Sequence, residues 1–113
     1  MAALTRNFVS EGLLFLKMNF EQFRESLSQV SPPAELSVYL RSLWYEGKGD
    51  WEQSHNIIQD IEDKNAAWIH AYLHRKEGDI WNADYWYSKA GKKRPALSLE
   101  QEWENIASTL IGQ

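Results

Sequence analysis

The sequence contains no cysteine. Disulfides, thiol nucleophiles and thiolate metal sites are excluded together, while the compartment stays open with the cytoplasm favoured. Basic charge is also in short supply, with 12 Lys and Arg against 16 Asp and Glu and a net charge of −4. A general nucleic-acid binder carries a basic face to displace phosphate counterions, so nucleic acid is not expected among the partners. The apolar run from Gly12 to Leu16 is too short to cross a bilayer and lacks a small-residue cleavage site after it, so neither a membrane span nor a signal peptide is read. Signatures of catalysis are missing as well. Gly47-Lys48-Gly49 lacks the spacing of a phosphate loop, there is no nucleophile elbow, and no pair of carboxylates divides into acid and base. The expectation is a non-catalytic chain with no cofactor and no assigned metal.

What is present is apolar mass. Hydrophobic residues make up 43% of the 113, aromatics 13%, and six are Trp. A chain of this size fits one domain and buries roughly two thirds of the surface it exposes when unfolded. The large rings supply unusually large blocks of that area.

The spacing of the apolar residues predicts an all-α fold of about six helices. Residues 1–18 form an N-terminal arm of uncertain role: either Met18 is a second start, or Leu13 and Leu16 extend the next helix backwards, the reading taken here. Asn19 caps that helix, whose stripe is Phe20, Phe23 and Leu27. Ser31-Pro32-Pro33 reads as the start of the next helix, with Leu36, Leu40, Leu43 and Trp44 inward and an end at Gly47-Lys48-Gly49. Asp50 and Gln53 form a capping box for a third helix that turns Ser54, Ile57, Ile58 and Ile61 inward and closes at Glu62-Asp63. Ala66, Ile69, Leu73 and Lys76 line one arm of a second hairpin, Gly78-Asp79 turns it, and Ala83, Trp86, Tyr87 and Ala90 line the other. After the loop Lys92-Lys93-Arg94-Pro95, a capping box of Ser98 and Gln101 opens a last helix with Leu99, Trp103, Ile106 and Leu110 on one face and polar residues elsewhere. Its expected job is to cover the exposed apolar face of the last repeat. The expected divisions are thus 34–62 and 64–91 for the two hairpins and 98–111 for the capping helix.

Gly49-Asp50 recurs as Gly78-Asp79 after 29 residues, with a small residue four positions after each Asp (Ser54, Ala83) and a large apolar one four later again (Ile58, Tyr87). At these positions the chain resembles tetratricopeptide repeats. Its second unit, through Gly78-Asp79, Ala83 and Trp86-Tyr87-Ser88-Lys89-Ala90, resembles their Sel-one-like relatives. The stretch from Tyr72 to Asp79 with Asn82-Ala83 and Tyr85-Trp86-Tyr87 is also similar to a family of small uncharacterised bacterial proteins. Ser54 departs from the family's usual Ala, and the period is shorter than the roughly 34 residues of a standard unit. The resemblance implies a protein- or peptide-interaction module whose first helices line a groove. The residues expected to face that groove are Tyr39, Glu46, Trp68, Tyr72, Arg75 and Lys76, with Arg75 pairing a carboxylate and the rings anchoring apolar side chains.

A second reading is a small-molecule or metal site. His70 and His74 are four residues apart, which places both imidazoles on one helical face, though the Glu of the zinc-protease motif does not follow the first of them. A third ligand would come from His55 or from a carboxylate elsewhere. Trp44, Trp51, Trp68, Tyr72, Trp81 and Tyr85 offer rings for an aromatic cage, against the simpler reading that they pack the core. Trp81 and Tyr85 lie off the buried line of their helix and are expected to be exposed, serving the ligand site or a homodimer contact. Residues 1–63 carry 5 basic and 10 acidic groups and residues 64–113 carry 7 and 6, an asymmetry that would suit a head-to-tail partner or a second copy.

Overall fold

A computed structural model describes residues 18–113. Six α-helices follow one another among the described residues: α1 (Phe20–Glu25, continued by a 3₁₀ turn at Ser26–Ser28), α2 (Val38–Gly47), α3 (Trp51–Ile58), α4 (Lys64–Lys76), α5 (Ile80–Lys89) and α6 (Leu99–Ile111). The fold is all-α, and the described residues contain no strand. No helix among them is long and apolar enough to cross a membrane. Leu13 and Leu16 lie outside the described residues.

Both hairpins form, α2 with α3 and α4 with α5. Their turns share one backbone: Gly49 and Gly78 take φ of +88° and +91°, and Asp50 and Asp79 then accept the amides of Gln53 and Asn82 at 3.1 and 3.3 Å. The left-handed glycine closes one helix and the aspartate opens the next, which is why Gly-Asp recurs where it does. Ser54 and Ala83, both fully buried, let the paired helices approach, and the Ser54 hydroxyl is satisfied by Ser42 at 2.8 Å.

Helix boundaries differ from the expectation in three places. Ser31-Pro32-Pro33 does not start α2. The segment turns instead, and Ser37 caps the helix by accepting the Leu40 amide at 3.2 Å. Asp63 does not close α3, which ends at Ile58; it caps α4 by accepting the Ala66 amide at 2.8 Å. Asp50 caps α3 without the reciprocal bond from the Gln53 side chain, whereas Asn19–Gln22 and Ser98–Gln101 make complete capping boxes.

The core centres on α4, where every residue from Ala66 to His74 is buried. Helix α6 meets the outer arm of the last hairpin through Tyr87. It lies against α1, α2 and α4, on the surface the two first helices present. Trp103 stacks on Phe23 with centroids 5.7 Å apart and donates its indole N–H to the Leu43 carbonyl at 3.0 Å. The reason is the content of its face: besides Ile106 and Leu110 it carries Glu102, fully buried and not at the polar surface, which accepts Arg75 at 2.7 Å and the Tyr87 hydroxyl at 2.5 Å. Arg75 of α4 and Tyr87 of α5 bring both helices of the second hairpin to that carboxylate.

Candidate metal centre

Helix α4 carries His70 and His74 one turn apart, and α3 packs beside it with His55. The three imidazoles meet. One ring nitrogen from each lies within 4.8 Å of the others, and ring centroids are separated by 4.7 Å (His55–His70), 4.8 Å (His70–His74) and 5.4 Å (His55–His74). His55 Nε2 stands 3.0 Å from His70 Nε2, so one of the two holds a proton that the other accepts.

Each ring is held from behind. Trp51, one turn before His55 on α3, stacks on it at 4.9 Å and 8°, and is itself fixed by donating its indole N–H to the Leu73 carbonyl at 2.8 Å. Trp86 of α5 stacks on His70 at 4.0 Å and 19°. His74 Nδ1 lies 2.7 Å from Glu77 Oε2; when Nδ1 carries the proton it donates to the carboxylate and leaves Nε2 as a free lone pair. His70 and His74 are buried and His55 is half-buried.

Burial sets the protonation state. His70 is pushed down from the ordinary 6.5 to about 3, first by desolvation and then by the neighbouring imidazoles of His55 and His74. His55 is lowered by desolvation and by His74, against the opposing pull of Glu77 and Asp60. At neutral pH both rings are therefore uncharged and able to donate a lone pair. Imidazole nitrogens are ligands that zinc takes, and an ion held between His55 and His70 would displace the proton they share, which the donor ring would then carry on Nδ1. The His70 and His74 planes are 27° apart. An ion bound through a lone pair lies in the ring plane, so for both rings to hold one ion, one of the two would turn about its outer side-chain bond.

The groove residues do not form a common surface. Trp68 and Tyr72 are buried, because α4 is packed on all sides from Ala66 to His74. Tyr72 donates to the buried Glu46 at 3.0 Å, and Lys76 pairs with the same carboxylate. Arg75 is engaged by Glu102 and by the Leu97 carbonyl. Tyr39 lies at the other end, donating to Asp63 at 2.5 Å. Glu46, Tyr72 and Lys76 still border a concavity of about 350 Å³ beside Leu27 and Trp103, but Tyr39, Trp68 and Arg75 have no part in it. Among the rings proposed for a cage, Trp44 and Tyr72 are in the core, and Trp81 and Tyr85 stand on the outside of α5 at 82% and 49% exposure. His70 and His74 thus gain His55, whereas Trp81 and Tyr85 do not join them. The sequence reading overlooked Trp86 as a wall of the histidine site and Glu102 as a buried anchor. An aromatic one turn from a histidine, as in Trp51-His55, was the visible signal for the other wall.

The chain matches no family model, no curated protein and no solved structure.

Proposed function

We propose that the protein binds a divalent late first-row transition-metal ion through His55, His70 and His74. The observation that carries this is the convergence of three imidazoles, two of them kept neutral by burial, from two helices whose relative register no local sequence rule sets. Three nitrogen donors favour Zn²⁺, Ni²⁺ or Cu²⁺ over Mg²⁺ or Ca²⁺. Because the ligands come from α3 and α4, the ion ties one hairpin to the other. Binding therefore stabilises the fold, by about 2.7 kcal/mol at a free ion concentration one hundred times Kd. Thermal melting with each ion, in the wild type and in His55→Ala and His70→Ala, tests this. Zn²⁺ should raise the midpoint of the wild type and leave both variants unmoved, and Mg²⁺ should do nothing. A wild-type midpoint indifferent to Zn²⁺, Ni²⁺ and Cu²⁺ would refute the assignment.

Partner binding, the role that the repeat resemblance implies, is supported as a second reading by the outer face of α5, where Trp81, Tyr85 and Ile80 are exposed together. With the inner surface filled by α6, this face suits a second copy of the chain. Sedimentation of wild type and Trp81→Ala over a range of concentrations should show self-association only in the former.

A further inference from the structure

The geometry points to an exchangeable fourth coordination position in the three-histidine site, one that takes a small monoanion such as hydroxide or azide. This rests on the metal-binding reading above. Three imidazoles are neutral donors, so a bound divalent ion keeps its full double charge. Two of the ligands are buried and two indole faces, Trp51 and Trp86, wall the rings, leaving the ion few water dipoles to offset that charge. Glu77 and Asp60 are the carboxylates that act on the cluster electrostatically. Glu77 lies 2.7 Å from His74 Nδ1, where its role is to orient the ring; Asp79 comes within 4.8 Å of His74 and Glu77 while its carboxylate caps α5 through the Asn82 amide; and Asp60 is not among the groups that converge on the three imidazoles. With Glu77 held on His74 Nδ1 and Asp79 on the amide that opens α5, neither carboxylate is placed as a ligand and the remaining position falls to a ligand from solution. A tetrahedral ion with three protein ligands has one position to give, and the half-buried His55 marks the side from which it is reached. The stacked indoles restrict that approach, which selects anions of two or three atoms over phosphate esters or carboxylate-bearing metabolites.

Cobalt(II) is the probe, since its visible bands report both binding and the identity of the fourth ligand. Wild-type protein loaded with Co²⁺ should show intense tetrahedral bands, and sodium azide should shift them along a saturable curve. Glu77→Gln should weaken cobalt binding roughly tenfold, the usual loss when a ligand's hydrogen-bond partner is removed, while keeping the azide response. Cobalt bands that form in the wild type but ignore azide would overturn the open position and leave metal binding standing. A wild type silent to azide beside a responsive Glu77→Gln would overturn it by identifying Glu77 as the fourth ligand. Absence of protein-bound cobalt bands would overturn both readings at once. His55→Ala, altered at the half-buried ligand, should remain folded by circular dichroism and lose the intense bands.

Discussion

Truncating Glu102 should undo the docking of α6 far out of proportion to its size. Its carboxylate is fully buried and joins three helices, taking 2.7 Å and 2.5 Å bonds from Arg75 of α4 and Tyr87 of α5. In Glu102→Ala the Arg75 guanidinium, whose side chain is only 17% exposed, keeps its charge and loses its counter-ion, and the Tyr87 hydroxyl keeps a donor with no acceptor. Removing one member of a buried pair costs about 3–5 kcal/mol, a large part of the roughly 5–15 kcal/mol that holds a domain together. At a shift of at least roughly 4 °C per kcal/mol for a domain near this size, the midpoint should fall by about 12 °C or more. Glu104, on the same helix, supplies the control. It pairs with Arg24 at 3.0 Å in the open, with side chains 39% and 47% exposed, and its loss should cost about 1 kcal/mol or less. Urea unfolding followed by circular dichroism compares the two. Equal losses in Glu102→Ala and Glu104→Ala would refute the claim that the buried network anchors α6. A triple replacement, Arg75→Met, Tyr87→Phe and Glu102→Met, should recover much of the loss, because it leaves no polar group stranded.

Acid should destabilise the protein through His70. Its native pKa is depressed from 6.5 to about 3, so the unfolded chain takes up a proton first; the stabilisation is complete above pH 6.5 and is lost as pH falls from there toward 3. His70→Asn should flatten that part of the stability profile, and an unchanged slope would refute the assignment. The alkaline side has the opposite sign: burial first, and then the neighbouring Glu46 and Glu102 carboxylates, raise Tyr72 and Tyr87 above the ordinary 10.0, so stability should decline once pH exceeds that value. Gly78→Ala should cost about 1–2 kcal/mol from backbone strain alone, since φ is +91° and an added Cβ meets nothing within 4 Å. Urea midpoints should show a like loss in Gly49→Ala, and a neutral effect in both would refute the left-handed helix ends.

Local rules carried the sequence a long way. Gly49-Asp50 and Gly78-Asp79 announce their turns because a left-handed end and a side-chain cap depend only on neighbouring residues, and the stripes Leu40-Leu43-Trp44 and Ala83-Tyr87-Ala90 are buried as their spacing requires. His70 and His74 share a face for the same reason. Tertiary structure alone decided the rest. Periodicity assigns a helix one inward face, and α4 departs from it: enclosed from Ala66 to His74, it buries Trp68 and Tyr72, which lie off the stripe Ile69-Leu73. The resting place of α6 hung on a buried carboxylate, Glu102, that looks in sequence like any solvated residue of a polar face. The meeting of His55 with His70 and His74 depends on how α3 lies along α4, a register set by packing across the whole interface. Sequence supplied two imidazoles on one helix, and only the pairing of the hairpins could bring the third.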